Sequence, residues 1–410
     1  MAARMRRRKG RRAMTDPRAL PAPSPEALAH SARLAALIRA QIDAAGGQIP
    51  FERYMELALY APGLGYYSAG AAKLGAAGDF ITAAEISSLY AQCLAAQCRE
   101  TLTVLGGGSV LELGAGSGAL AAGMLSFLER AGCLPDRYLI LDRSAELRER
   151  QRETIERRVP ALAERVTWLD RPPQEPIRGV IVASEVVDAL PVALFRIAGA
   201  SGDERIEALA VTSTASNFAL VPRIADAGLA AVVRGIEDDL AAPLPPGFRS
   251  ECRPALDAWV ASVTEPLERG VLLCVDYGLP RREYYATERS GGTLLCHYRH
   301  RAHADPFHAP GLQDIGAWVD FTALARAGAV AGLVLAGFTT QAHFLLGCGL
   351  ERRFAVEIGL EPARTAELSR EVQLLTLPGG MGERFRVLAL ARDYDRPLTG
   401  FALRDLTRTL

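Results

Sequence analysis

Bare backbone and a few carboxylates are the groups of this chain that could hold and act on a ligand. Leu111-Glu112-Leu113-Gly114-Ala115-Gly116-Ser117-Gly118 follows a short apolar run and precedes a helical pattern. Glycine at such a place permits a sharp turn and lets a ligand approach the main chain. The helix behind it presents free N–H groups. Gly114, Ala115, Gly116 and Gly118 are the expected cradle. Glu112 stands two residues before the first glycine, where it can accept backbone bonds that shape the loop or attract a positive group of the ligand. Asp142 ends a second apolar run that begins at Tyr138, in the place of an acid that accepts hydrogen bonds from both hydroxyls of a ribose. Its other reading is an acid beside Ser144 at a helix amino terminus. Two ligand classes use this constellation, nicotinamide dinucleotides and S-adenosylmethionine, and Gly114-x-Gly116-x-x-Ala119 satisfies the dinucleotide fingerprint too. The acid at 112, where dinucleotide folds usually carry an apolar residue, favours S-adenosylmethionine. So does a loop that begins only after more than a hundred residues.

The elements that must position these residues alternate. Val110–Leu113, Tyr138–Asp142, Val166–Leu169, Val180–Ala183 and Val271–Val275 read as buried strands, with helices from about Ala119 to Ala131 and from Ser144 to Arg158. Such alternation predicts a parallel sheet covered by helices on both faces. Leu333–Leu335 and Phe385–Leu390 supply two further strands, the last antiparallel. The expected fold is α/β: a Rossmann-like, seven-stranded class I methyltransferase sheet. Before it, residues 25–105 predict an amino-terminal helical cap, with helices over Pro25–Ala45, Phe51–Tyr60 and about Ala83–Leu105. The catalytic domain is expected over 106–392, with an insertion at about 192–265 between strands four and five, and a tail over 393–410.

The chain has 410 residues, 49% of them hydrophobic and 23% charged, which suits a globular protein with a sizeable core. Lys plus Arg and Asp plus Glu are both 47, so net charge gives no sign of nucleic-acid or membrane binding. No apolar run approaches the ~18 residues of a membrane span. The seven cysteines lack any Cys-x-x-Cys pair and read as reduced core thiols. Residues 1–24 read as a disordered basic tail and linker. The first twelve hold seven Arg or Lys, which a mitochondrial presequence would also show; without one, a bacterial cytoplasmic location is expected. His297, His300, His303 and His308 crowd one loop with Cys296 and Asp305, but Arg299 and Arg301 interleave, so no metal site is expected there.

Four stretches together resemble the MidA family. They are Tyr54-Met55-x-x-Ala58-Leu59-Tyr60-x-Pro62-x-x-Gly65-Tyr66-Tyr67; Gly78-Asp79-Phe80-Ile81-Thr82-Ala83-Ala84-Glu85-Ile86-Ser87; Ser184-Glu185-Val186-Val187-Asp188-Ala189-Leu190-Pro191; and a run from Val275-Asp276-Tyr277-Gly278 through Gly292-Thr293-Leu294 and Val319-Asp320-Phe321 to Phe344-Leu345. The resemblance spans about residues 48–392. It implies S-adenosyl-L-methionine as cofactor and a protein substrate methylated on arginine, since the mitochondrial members are arginine methyltransferases that assist assembly of respiratory complex I. It further implies that Asp79 and Thr82 border the cofactor pocket and that Glu185 ends strand four beside the transferred methyl group. The copy departs from the pattern at Ala115 and Ser117, where the family carries proline and arginine, at Ala84 for proline, at Ser184, Val186 and Val187 for Asn, Phe and Phe, and at Trp318 for histidine.

An arginine acceptor sets a chemical requirement. Its guanidinium stays protonated, with a pKa above ~12, so carboxylates must localise the charge and one must take the departing proton. Glu185 and Asp188 are the candidates for that catalytic work, because strand four ends at the ligand crevice of such a sheet. Two rival functions remain open at this point: an NAD(P)-dependent oxidoreductase, and a non-catalytic cofactor-binding assembly factor.

Overall fold

The computed structural model describes residues 20–69, 82–199 and 205–410. It opens with α1 (Pro25–Ala44), where the Ser24 hydroxyl accepts from the Ala27 N–H and Leu34, Ile38 and Ile42 line up, one turn apart, on the buried face. β1 (Gln48–Pro50) leads directly into α2 (Phe51–Tyr60). α3 (Ala83–Ile86) and α4 (Ser88–Leu105) follow. Apolar periodicity alone predicts one helix over Ala83–Leu105, but Ser87 divides it. Its backbone is extended at φ −151°, ψ 134°, and its hydroxyl accepts from the Leu89 N–H to cap α4.

The central sheet then builds from β2 (Ser109–Leu113), α5 (Ala119–Arg130), β3 (Tyr138–Leu141), α6 (Ala145–Arg158), β4 (Val166–Leu169) and β5 (Ile177–Ser184). Next come β6 (Ala193–Ile197), β7 (Ile206–Ser213), β8 (Phe218–Ile224), α7 (Ala227–Leu240), β9 (Arg249–Cys252) and α8 (Leu256–Thr264). The chain returns through β10 (Leu267–Leu279), α9 (Arg281–Tyr284), β11 (Leu295–Tyr298), β12 (Arg301–His303), β13 (Asp314–Gly316) and β14 (Val319–Asp320). It finishes with α10 (Phe321–Val330), β15 (Val334–Thr340), α11 (Gln341–Gly347), α12 (Leu350–Leu360), α13 (Thr365–Thr376) and β16 (Phe385–Arg392).

The central sheet has the order β15-β16-β10-β5-β2-β3-β4, with β14 beside β10 as its eighth strand. β14 is two residues long, too short to leave a periodic signal, and is the strand absent from the sequence reading. β4, β3, β2, β5 and β10 are parallel, and β16 runs antiparallel to both β10 and β15. From β2 the chain moves outward to β3 and β4, then crosses back to β5 on the other side. This reversal of strand order opens a crevice beyond the carboxyl ends of β2 and β5, where open α/β sheets bind ligands.

At the opposite end the strands touch. Gly179 pairs with Ser109 on one side and Gly270 on the other. A Cβ on Gly179, whose φ is +145°, would lie 1.9 Å from the Ser109 carbonyl oxygen. Gly179→Ala is therefore expected to cost about 3 kcal/mol or more, the upper part of the overpacking range. The loss should appear as a lower urea midpoint at unchanged slope; a loss below about 1 kcal/mol would mean that the strands part freely.

A second sheet runs β1-β7-β6-β9, with β8 on β7. β1, from before α2, is antiparallel to β7, so the amino-terminal segment and the residues between β5 and β10 build one body. Leu34, Ile38, Tyr54 and Met55 bury their side chains there with Leu194, Leu209 and Val211. At roughly 1.5–3 kcal/mol for each large apolar side chain, that shared core fixes α2 over the crevice.

Two expected boundaries move. α4 was assigned to the amino-terminal cap over 25–105, yet Cys93, Leu94, Cys98 and Leu102 lie in the core of the central sheet with Leu120 and Met124 of α5. The helix is nearly all apolar on the face toward α5, and only a sheet-covering position buries so much of it. The expected tail over 393–410 is also no tail. Phe401 is buried, and the Leu406 N–H donates to the Phe338 carbonyl, covering the edge of β15. An uncovered edge strand would expose unpaired backbone groups.

Candidate functional site

A cavity of ≈ 1280 Å³ occupies the crevice. That is larger than the roughly 300–1,000 Å³ of a site for one small ligand.

Its floor is the loop after β2. Gly114 and Gly116 adopt φ +61° and +53°, the left-handed region where a side chain is strained. With Ala115 and Ser117 they line the cavity. The Gly114 N–H donates to the Leu141 carbonyl at 2.9 Å and the Gly118 N–H to the Ala115 carbonyl at 2.8 Å, so the turn is held by main chain. Gly118 was expected in the cradle, but the residues that line the cavity pass from Ser117 to Ala119. Its role is close packing: a Cβ at Gly118 would lie 2.9 Å from Cα of Gln151 on α6.

Glu112 also lines the cavity and is 2% exposed. The expectation that it shapes the loop through backbone bonds needs correction. Its Oε2 accepts instead from the Tyr138 hydroxyl, at 2.5 Å, across the pair β2–β3. Burial pushes the Glu112 carboxyl up to about 7, with the Tyr138 hydroxyl pulling it back.

Asp142 comes to the cavity at the end of β3, as its position predicts. One carboxylate oxygen accepts from the Ser144 N–H at 2.9 Å and the other from the Gln151 amide at 2.8 Å. Gln151, fully buried, also donates to the Gly116 carbonyl at 3.2 Å and accepts from the Trp168 indole at 3.0 Å. One side chain thus ties the glycine loop to the acid. Each oxygen of Asp142 keeps a lone pair for a hydroxyl.

Across the crevice, β5 ends at Ser184, and Glu185 follows it. Glu185 has φ +56°, unusual for a residue with a side chain. Its Oε1 accepts from the Ala83 N–H at 3.0 Å, which fastens the turn after β5 to the start of α3. Burial, helped by the charges of Asp188 and Glu85, raises its carboxyl to about 8. Thr82 lines the cavity beside it; Asp79 lies outside the described residues.

Asp188 is not brought to the cavity. Its carboxylate accepts from the Tyr277 hydroxyl at 2.5 Å, and its carbonyl from the Arg253 guanidinium at 3.1 Å. The Val187 and Asp188 N–H groups donate to one oxygen of Asp276, at 3.0 and 3.1 Å. Asp188, Asp276 and Tyr277 thus brace the turn that carries Glu185.

Several cavity residues went unassigned in the sequence. Tyr60 and Tyr67 stand inside the stretch Tyr54–Tyr67 and reach the cavity because α2 lies over it. Arg253, Leu256 and Trp259 come from the insertion, where no motif marked them. Glu52, Glu56, Glu112, Asp142, Glu146 and Glu185 face three guanidiniums, Arg53, Arg143 and Arg253. Arg53 is already paired with Glu56 at 2.6 Å, and Arg253 donates to the Trp318, Ala317 and Asp188 carbonyls. Once Glu112 and Glu185 ionise, the excess of carboxylates favours cationic ligands. Among the described residues no group of His, Cys, Asp and Glu is arranged to hold a metal ion, and the histidine loop around β11 and β12 does not line the cavity. No described helix is long and apolar enough to cross a membrane.

The bare loop, the acid that follows β3 and the acidic surroundings fit an adenosyl sulfonium, a cation, better than a pyrophosphate. Comparison with known proteins agrees. A Burkholderia thailandensis protein crystallised with S-adenosyl-homocysteine is 44% identical, covers 95% of this chain and all of its own, and superposes with a TM-score of 0.89. The protein arginine methyltransferase NDUFAF7 of Danio rerio is 27% identical over 391 residues, 84% of each chain. Its Drosophila melanogaster homolog is 28% identical, over 95% of this chain and 93% of the relative. A family model described as S-adenosyl-L-methionine-dependent methyltransferase matches residues 93–339. These findings exclude the oxidoreductase reading and bear out the resemblance drawn from the four motifs: the chain belongs to this family of S-adenosyl-L-methionine-dependent methyltransferases.

Proposed function

We propose that the enzyme methylates an arginine of a protein substrate, with Glu185 as the catalytic carboxylate. The observation that carries this reading is Glu185 itself: a half-buried acid, raised to about 8, in the wall of a cavity rich in carboxylates. The relatives' arginine specificity supports it, and by the family resemblance a respiratory complex I subunit is the proposed substrate, met in a bacterial cytoplasm or a mitochondrial matrix. The body formed by α1, α2 and the second sheet acts as the cap.

In the proposed arrangement the backbone of Gly114–Gly116 lies under the cofactor, Asp142 takes the ribose hydroxyls, Glu112 faces its positive groups, and Thr82 borders it. The cofactor supplies a methyl group on a sulfonium, open to in-line displacement. Glu185 does the rest of the chemistry. Ionised, it draws the guanidinium charge toward one end, leaves a nitrogen lone pair for attack, and accepts the departing proton. Its carboxyl near 8 suits both tasks, since an entering cation stabilises the ionised form. Asp188 is a positioning residue, acting through Tyr277 and the turn.

The direct test incubates the purified chain and labelled S-adenosylmethionine with lysate from a strain lacking the gene. Label on arginine of one protein supports the reading; label on another residue type overturns it. A second expected result concerns Tyr138→Phe. Without that hydroxyl the Glu112 carboxyl rises further, so the pH at which cofactor affinity reaches half its plateau should move above about 7. Calorimetric titrations of S-adenosyl-homocysteine between pH 6 and 9 should show a several-fold loss at pH 7 that recovers at pH 9. An unchanged profile would remove Glu112 from cofactor binding.

A further inference from the structure

We infer that Tyr60 is the face on which the acceptor guanidinium stacks, and that Tyr67 is the backing that holds it; the inference rests on the arginine reading above. Tyr60, the last residue of α2, and Tyr67 both line the cavity. Their rings stack at 5.5 Å between centroids with 23° between planes, and Tyr66 meets Tyr67 edge-on at 5.0 Å. Both hydroxyls are spoken for. The Tyr60 hydroxyl donates to the Ala189 carbonyl at 2.9 Å and the Tyr67 hydroxyl to the Asp314 carboxylate at 2.9 Å. Neither ring can swing without breaking a bond, yet both remain partly accessible. What the pair offers the cavity is therefore ring surface, not hydroxyl chemistry.

The location points to the acceptor. Ala189 lies four residues after Glu185 on the same turn, and both line the cavity with Leu190 and Pro191. The Tyr60 hydroxyl meets the turn after β5 at Ala189, and the cavity that Tyr60 lines is also lined by Glu185 and Asp142. A planar, delocalised cation suits an aromatic face beside a carboxylate: guanidinium combines cation–π attraction with stacking, and an ammonium does only the first. An anchored ring face in the cavity that Glu185 also lines thus favours arginine over lysine.

The test uses the full chain saturated with S-adenosyl-homocysteine and titrated calorimetrically with two probes, acetyl-Gly-Arg-Gly amide and acetyl-Gly-Lys-Gly amide. The wild type should bind the arginine probe more tightly. Tyr60→Leu should weaken that binding about tenfold, as a cation–π contact predicts, while Tyr60→Phe, which keeps the ring, should stay within about threefold and cofactor affinity should hold in both. Four results would overturn the inference. Equal losses in the Leu and Phe variants would implicate the hydroxyl. No loss in Tyr60→Leu would remove the stack and leave the arginine reading standing. Parallel loss of S-adenosyl-homocysteine would make Tyr60 a cofactor wall. A wild type that prefers lysine, or binds neither probe, would remove the arginine reading and the inference together.

Discussion

Glu185→Gln should reduce methyl transfer by about 10²- to 10⁴-fold, the usual contribution of a positioned acid or base, while leaving S-adenosyl-homocysteine affinity unchanged. The substitution is nearly isosteric. Its amide oxygen can keep the bond from the Ala83 N–H, and at φ +56° it asks nothing new of the backbone. What it removes is the charge. The pH profile separates this from a structural defect. In the free enzyme the Glu185 carboxyl is raised to about 8, so it is mostly protonated at pH 7 and cannot receive a guanidinium. For the wild type kcat/KM should therefore climb between about pH 7 and 9, and the limb should vanish in the variant. Stability runs the opposite way. A carboxyl raised in the folded state contributes stability below its unfolded pKa that is lost as pH rises through the folded one. The Gln variant should thus gain thermal stability relative to wild type at pH 9 and little at pH 5. Transfer that survives in the variant would make the chain's chemistry independent of this acid. Wild-type protein that transfers no label while its biological role persists in both forms would favour a cofactor-binding assembly factor.

Asp142→Ala should raise the dissociation constant for S-adenosyl-homocysteine about a hundredfold. Hydrogen bonds to a charged acceptor contribute about 1.5–3 kcal/mol each, and in the proposed arrangement the carboxylate receives two from the ribose. The damage extends further, because Gln151 donates to the same acid and to the Gly116 carbonyl. Removing Asp142 leaves the buried amide short of a partner and loosens the glycine loop. Calorimetry measures the loss; a change below about threefold would mean that the ribose is held elsewhere. Gln151→Leu is the informative companion. It keeps the acid, frees the loop, and should show an intermediate loss.

The central sheet was legible because its strands are short apolar runs bounded by glycine or acid, the pattern of a fully buried parallel strand. Asp142 and Glu185 were placed by the same logic, since a residue that ends such a strand must face the crevice. Asp188 was misplaced because sequence distance cannot say which way a turn points. Three residues beyond Glu185 the chain has already rotated its carboxylate toward Tyr277. Gly118 was read as part of the cradle because the motif is written in residues, whereas the ligand sees only those whose backbone remains open once α6 has packed. The partners of Glu112 and the cavity roles of Tyr60, Arg253 and Trp259 depend on contacts between distant segments, which no local pattern records. Ser87 is the small-scale version: one serine in an otherwise helical run, legible as a break only once its hydroxyl is seen to cap α4.

The most direct test of this site is a crystal structure of the chain with S-adenosyl-homocysteine and an arginine peptide bound together. The adenosyl group is expected on the backbone of Gly114–Gly116, its ribose on Asp142, and the peptide guanidinium against the Glu185 carboxylate. A guanidinium seated away from Glu185, or an acceptor approaching the sulfur from a side that this acid does not face, would contradict that arrangement.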